Sequence, residues 1–513
     1  MHRNSLIVLG ICCILLWSTS CRKDFEYAQS SGNLEFSKDT VFLDTVFTNI
    51  GSSTYSLKVY NRSKEDIQIP SIRLGEGNSS QYRLNVDGVA GTDFTNIPLF
   101  AKDSLYIFIE TTFDIAPTNA TEFLYVDALL FDSGTNEQKV PLVTLVKDAV
   151  FLYPAVLSDG SKESLPFGVD EEGNEIRIEG FVLEDDELVF TNEKPYVVYG
   201  YAAVADGKTA LINAGARIHF HENSGLLVGS GGSIKINGAL SSDPLLLENE
   251  VIFEGDRLEP EFSEVPGQWG TVWLSEGSVE NELSYLTIKN ATVGLFVEGN
   301  PNSSIPTLSI KNSQCYNSAT INLWARNTSI EAENLVLGNS GISSLYCNLG
   351  GSYTFLHSTF ANYWSNGFRT GPTLLIDNFV TDGFQVTASE DLLKADFINC
   401  IIDGNTGIEL QLNANEGAAF NYYFSHSLLK FRDTDGLFSN DPFYDFENTI
   451  LYNAILLNAA ADFGNTSQND FSIGPNSEII GLGDLNTALM VPLDLLGRDR
   501  TMNPSFGAYQ EDP

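Results

Sequence analysis

The sequence predicts an all-β protein: a β-sandwich near the N-terminus, then a parallel β-helix closed by a C-terminal cap. Two observations carry the larger part. An apolar residue, any residue, then Asn or His recurs as Ile288-Lys289-Asn290, Ile310-Lys311-Asn312, Ala332-Glu333-Asn334, Phe355-Leu356-His357, Ile376-Asp377-Asn378, Phe397-Ile398-Asn399 and Phe424-Ser425-His426. The polar member steps by 22, 22, 23, 21, 21 and 27 residues, a period that belongs to stacked repeats. Within the repeats apolar residues alternate, as at Leu308, Ile310 and Leu335, Leu337, which is the period of a strand. Units this short cannot bury their own apolar faces and are stable only against neighbours. The third observation concerns residues 30–147, where about seven short alternating runs separated by turn residues predict a sandwich.

Residues 1–20 read as an export signal. Arg3 gives a positive start, the run from Leu6 to Trp17 an apolar core, and Ser18-Thr19-Ser20 a small-residue exit. The apolar run is too short for a membrane-spanning helix. Cys21 follows at once. This arrangement resembles a bacterial lipobox, with Ser18 where Leu is usual, and implies that the leader is removed and Cys21 lipidated. Residues 21–32 would then be anchor and tether. Arg22-Lys23-Asp24-Phe25-Glu26 resembles the tag that sends Bacteroidetes lipoproteins outward. The expected location is the outer membrane, lipid-anchored and exposed at the cell surface.

Residues 33–148 form the predicted sandwich, with strands near Thr40–Phe47, Tyr55–Tyr60, Ile67–Ile72, Tyr82–Val86, Leu105–Phe113, Phe123–Phe131 and Lys139–Val146. No Cys-Trp-Cys pattern marks an antibody-type domain. Phe47-Thr48-Asn49-Ile50-Gly51 followed by Leu57-Lys58-Val59-Tyr60-Asn61 resembles Ig-like domains of the abnormal-spindle and major-sperm-protein kind. That resemblance implies an Ig-like spacer or protein-binding module.

Residues 149–205 read as a connecting segment and N-terminal cap. The acidic stretch Asp170-Glu171-Glu172-Gly173-Asn174 offers the oxygen ligands calcium takes, but lacks the EF-hand spacing and reads as a hairpin turn. No metal site or cofactor is expected, calcium being the one ion to test. Residues 206–434 are the predicted coils. Leu211-Ile212, Ile218-Phe220, Leu226-Val228 and Ile234-Ile236 come about seven residues apart, with glycines at the corners, as one side of a three-sided coil would. His219 and His221 share the face opposite Ile218 and Phe220 and read as surface residues. Residues 435–513 are expected to supply final coils and the cap that an open solenoid end requires.

The coil register, Lys194-Pro195-Tyr196-Val197-Val198-Tyr199-Gly200-Tyr201, Pro266-Gly267-Gln268-Trp269-Gly270, Phe360-Ala361-Asn362-Tyr363-Trp364 and the ending Pro504-Ser505-Phe506-Gly507-Ala508-Tyr509 carry a wider resemblance. The chain resembles right-handed parallel β-helix proteins of the pectate-lyase-like superfamily, and more closely a group of β-helix lipoproteins from Bacteroidetes. This implies fold and anchoring, and no reaction.

With 28 basic and 67 acidic residues the net charge is −39, which opposes nucleic acid and anionic headgroups as partners. Of six cysteines, Cys315, Cys347 and Cys400 fall in the coils without metal-ligand spacing and read as core residues. Asn290, Asn312, Asn334, His357, Asn378, Asn399 and His426 are expected to stack as a ladder, since amide columns accompany stacked strands. The expected function is binding of a glycan or surface protein by a monomer, without catalysis. Tyr363, Trp364 and Arg369 form the first candidate binding loop. Trp269 and Trp273, placed on one face by alternation, form a second candidate surface. The alternative is a polysaccharide lyase or glycoside hydrolase, for which Asp377 and Asp403 are the candidate carboxylates, with Asp382 and Asp396 nearby.

Overall fold

The computed structural model describes residues 27–113, 122–169, 173–243, 246–383 and 385–511. The leader, Cys21 and residues 170–172 of the acidic turn lie outside the described residues. The chain divides into two compact units, residues 1–148 and 149–513.

The first unit is built from two sheets. One contains Val41–Phe47, Ile67–Leu74, Asp93–Leu99, Glu122–Phe131 and Gln138–Lys147, with the short Ala28–Gln29 on its edge. The other contains Glu35–Phe36, Tyr55–Tyr60, Ser104–Thr111, Tyr82–Val86 and Val89–Gly91. Alternate residues of both, among them Leu43, Ile72, Leu129 and Leu142 from one and Leu57, Val59, Leu84 and Ile107 from the other, meet in a single buried core. Burying each such side chain contributes roughly 1.5–3 kcal/mol before entropy. Pairing is mostly antiparallel, but Val41–Phe47 lies parallel to Gln138–Lys147. The strand Asp93–Leu99 was not expected. Its sequence, Asp-Phe-Thr-Asn-Ile-Pro-Leu, buries only Phe94 and Leu99, and its Pro98 speaks against a central strand.

The second unit is a stack of three-sided coils in which each strand pairs in parallel with its successor one coil on. On the first side, Leu308, Ile310 and Lys311 lie over Ile330, Ala332 and Glu333. These lie over Tyr353, Phe355 and Leu356, and those over Ala395, Phe397 and Ile398. On the second side Ile288, Cys315, Leu337, Phe360, Ile402 and Leu429 form one inward column. On the third, Leu295, Leu323, Leu345, Leu374 and Leu410 do the same. The first two sides merge into one nineteen-stranded sheet because Leu308–Ser318 and Ser329–Ser340 keep their pairing through the corner. The third side is a ten-stranded sheet. Cys315, Cys347 and Cys400 are free and buried.

Coiling starts earlier than residue 206. Val150–Leu152 already pairs in parallel with Tyr196–Val198, and 180–182 with 201–203. Residues 149–205 are therefore coil as much as connection. The sequence conceals this because an antiparallel hairpin, Ser164–Val169 with Glu175–Val182, interrupts the first turn.

Asn312, Asn334, His357, Asn399 and His426 stand in one column, whereas Asn290 and Asn378 belong to other corners. The column at the first corner runs Tyr285, Asn312, Asn334, His357, Asn399, His426, each with a left-handed backbone (φ 47°, 48°, 51°, 48°, 56°, 47°). Asn tolerates that conformation better than most residues, which is why it recurs there. Asn290 sits at the next corner, level with Asn317 and Asn339, and Asn378 at the third, level with Asn327 and Leu349. The apparent steps of 21 and 21 residues are one coil of 42, from His357 to Asn399, lengthened by the loop 365–373 and the hairpin Phe379–Asp382 with Gln385–Ser389.

Coils end at Tyr452–Asn453 and Leu456–Leu457. Phe438, Tyr444, Phe446 and Leu451 close the open end by packing on Phe431 and Tyr452. The remaining residues, 458–511, do not cap. They form a strap that turns back along the outside of the second side. Val336 and Ala361 pack with Phe471, Leu495, Ala508 and Tyr509, and Ile401 and Leu428 with Ala461, Ile473, Ile479 and Phe506. The strap meets Gln314 through the Tyr509 hydroxyl at 3.2 Å and reaches back to Glu264, to which Asn469 donates at 3.0 Å.

Candidate functional site

The strap explains what the corner amides do. Asn334 donates to Asn312 Oδ1 at 2.8 Å and Asn399 to His357 Nε2 at 2.8 Å, amide over neighbour as expected. Their other bonds go to the strap. Asn334 donates to the Leu493 carbonyl (2.9 Å) and accepts from Arg500 (2.9 Å). Asn399 donates to the Asp484 carbonyl (3.1 Å) and accepts from its N–H (2.7 Å). Arg500 is 1% exposed, and burial lowers its guanidinium to about 10, so it stays charged at neutral pH. Asp494, also 1% exposed, accepts from the N–H groups of Leu496, Arg498 and Gln510.

Where the strap leaves the coils, between the second side and residues 458–478, a cleft of about 400 Å³ opens. Tyr363, Asp403, Lys430 and Arg432 line it from the coils, and Asp462, Phe463 and Glu478 from the strap. The coils set the order of charges. Ala361 lies over Asp403 one coil on, and Ile402 over Leu429, so Asp403 and Lys430 are successive outward residues of one column. The Tyr363 hydroxyl donates to Asp403 Oδ2 at 2.9 Å. Lys430 Nζ lies 3.2 Å from Asp403 Oδ1 and donates to the Gly404 carbonyl at 2.6 Å. The Gly404 N–H donates to Asp403 Oδ1 at 2.8 Å. Burial, then the Asp403 carboxylate, pushes the Tyr363 phenol well above its usual range and keeps it a donor. Its ring meets Phe463 edge to face at 6.1 Å.

Of the candidate loop, only Tyr363 reaches this cleft. Trp364 is 8% exposed and its carbonyl accepts from Asn405. The Arg369 guanidinium is buried against Glu409, at 2.5 and 2.9 Å, with side chains 4% and 0% exposed. The loop presents Phe368 instead, 95% exposed. An Arg beside aromatics in sequence looks like a ligand clamp. Its partner, Glu409, is 40 residues away and invisible to local reading.

Asp377 and Asp403 are not brought together. Asp377 stands on the third side, where Tyr346 (2.6 Å), Asn348 (2.8 Å) and the Leu349 N–H (2.9 Å) donate to it. Burial raises its pKa, with these donors opposing. Asp396 on the first side pairs with Lys394 at 3.5 Å, and Asp382 is exposed on the inserted hairpin. Among the described residues no group of three His, Cys, Asp or Glu is placed to hold a metal ion.

Trp269 and Trp273 also part company. The pairing restarts at Val272 after Gly270, so alternation does not run through from Trp269. Trp269 is 1% exposed, stacks on Phe220 at 4.4 Å inside the core, and donates to the Lys289 carbonyl. Trp273 lies outside on the third side and donates to Glu298 at 2.9 Å. There Trp273, Phe296, Trp324 and Tyr346 lie in register, with successive centroids 5.8, 4.7 and 6.0 Å apart. The ring faces cover one another, so this column offers edges and not stacking surfaces. His219 is 5% exposed, beside Glu254 at 3.6 Å, rather than at the surface. His221 stays half-exposed and bonds Asp256 at 2.7 Å.

The cleft was missed at the sequence level except for Tyr363 and Asp403. Lys430 and Arg432 were too ordinary to single out, and the strap wall comes from residues that carry no motif.

No family model matches the chain and no curated protein does. Among solved structures, the catalytic unit of the GH87 α-1,3-glucanase from Streptomyces thermodiastaticus strain HF3-3 is 10% identical, covering 72% of this chain and 79% of that one at a TM-score of 0.26. The ASH/PapD-like domain of human CEP192 is 13% identical, covering 23% and 86% at 0.16. The E. coli chaperone DraB is 15% identical, covering 26% and 61% at 0.17. At these scores no functional argument rests on any of them.

Proposed function

We propose that this protein is held at the cell envelope by a lipid on Cys21 and binds a glycan in the cleft between its second side and the strap. The observation that carries this reading is the cleft itself. Its volume of about 400 Å³ lies within the range of small-ligand sites. Its wall mixes two aromatic rings, two cations and three carboxylates, the donors, acceptors and apolar faces that a hydroxyl-rich ligand needs. The export-leader pattern of residues 1–20, followed at once by Cys21, supports the anchor. The N-terminal sandwich serves as an Ig-like spacer. A right-handed coil follows from the usual hand of parallel crossovers.

Binding is favoured over cleavage by the state of Asp403. Tyr363 and the Gly404 N–H donate to it and Lys430 Nζ stands 3.2 Å away, so both of its oxygens are already engaged within the protein. Glycoside hydrolysis needs one carboxyl that keeps its proton and a second across the bond.

The test is titration calorimetry of a soluble Cys21→Ser form against short neutral and acidic oligosaccharides. Tyr363→Ala should weaken binding roughly tenfold, about the worth of one aromatic contact. A wild-type protein that binds none of the panel removes the reading. Product release that Asp403→Asn abolishes replaces it with the hydrolase or lyase.

A further inference from the structure

We propose that the cleft selects a saccharide bearing one anionic group, and that Arg432 is the residue that recognises it. This rests on the glycan-binding reading of the cleft and deepens it.

In the second unit nearly every described lysine and arginine already has a partner within the protein. Lys162, Arg177, Lys208, Lys235, Arg257, Lys289, Lys311, Arg326, Arg369, Lys394 and Lys430 are ion-paired. Arg217, Arg498 and Arg500 donate to carbonyls, and Lys194 is also engaged. Arg432 is the exception among the described residues of this unit. Its backbone is fixed by an N–H to the Gly407 carbonyl at 2.7 Å. Its side chain is exposed at the cleft wall and holds neither an ion pair nor a hydrogen bond.

The carboxylates around it do not supply the missing partner. Asp403 is balanced by Lys430. Asp462 accepts from the Asn476 N–H at 3.0 Å, and Glu478 from the Ala460 N–H at 2.6 Å. Both are turned onto the backbone of their own strap. In a chain of net charge −39, an unpaired guanidinium inside a cleft is a place where an anion finds an unengaged cation. The planar fork of Arg matches a carboxylate in two parallel hydrogen bonds. The surrounding acidity disfavours a long polyanion, so the ligand is a short or sparsely charged one, with a single uronate or sulfated residue seated at Arg432.

The experiment uses the Cys21→Ser protein, short uronate-containing oligosaccharides, the same oligosaccharides after reduction of the carboxyl to an alcohol, and sulfated counterparts. Wild type should bind the charged form roughly tenfold or more tightly than the reduced form, the scale of a hydrogen bond to a charged group. Arg432→Gln should erase that preference while leaving affinity for the reduced form intact, and Arg432→Lys should keep part of it. A preference for the sulfated sugar that Arg432→Gln also erases supports the inference and names sulfate as the anion. Equal binding of charged and reduced forms by wild type overturns it and leaves the glycan site standing. A charge preference that survives in Arg432→Gln overturns it too. Absence of binding to both forms removes the underlying reading, and this inference with it.

Discussion

Gly338 on the second side faces outward, where its neighbours along the strand carry side chains, and Phe471 of the strap lies directly on it. A Cβ built there would stand 2.1 Å from Phe471 Cε2, and the ring is wholly buried. The backbone of Gly338 is not left-handed, so conformation alone does not require glycine. Taken by itself, Gly338→Ala should stabilise by about 0.4–1 kcal/mol through the unfolded chain. With the strap docked it should destabilise by about 1–3 kcal/mol, because the ring cannot move away without opening the packed layer. Phe471→Ala alone should cost about 3–5 kcal/mol. In the double variant the clash has no second party, and Gly338→Ala should become neutral or favourable. The assay is urea unfolding of the four proteins as a double-mutant cycle, with limited proteolysis to report whether the strap detaches first. If Gly338→Ala costs the same with and without the Phe471 ring, the strap does not dock as described.

Two further outcomes follow from buried charge. Burial holds the His357 pKa well below 6.5, so the folded protein keeps it neutral while the unfolded chain takes up a proton as pH falls through 6.5. The stability it contributes is complete above that value and is lost below it, at up to about 1.4 kcal/mol per pH unit. His357→Asn, which suits the same left-handed corner, should flatten the difference between melts at pH 7.5 and 5.5, and identical pH profiles would refute the assignment. Arg369→Ala should cost about 3–5 kcal/mol, because it leaves Glu409 charged and enclosed. Arg369→Met with Glu409→Gln, read in the same unfolding assay, should recover a large part of that loss. If the single and double variants unfold alike, the pair is not the closed one seen here.

The coil period was legible because inward aliphatic residues and corner amides repeat at the spacing that stacking imposes. Phase was not legible. Asn290 and Asn378 show the same apolar-any-Asn signature as Asn312, because all three corners follow a strand and all favour Asn. Only the pairing of Lys289 with Tyr316 and of Cys347 with Ile376 separates them. The binding loop was misjudged for a similar reason: Trp364 and Arg369 look like surface groups until Glu409 and the packed coil edge are present to receive them.

Sequence alone therefore determined that this is a chain of strands, coiled over most of its length, with a strongly acidic composition. These are properties of composition and local periodicity, each readable within one repeat. Tertiary structure decided the rest. Val336, Gly338, Ala361, Ile401 and Leu428 point away from the coil interior yet are small or apolar, because residues 458–511 cover them. The cleft exists only where that cover lifts from the coils. Its walls are contributed by segments as far apart as Tyr363 and Glu478, and no local pattern can encode a meeting between them.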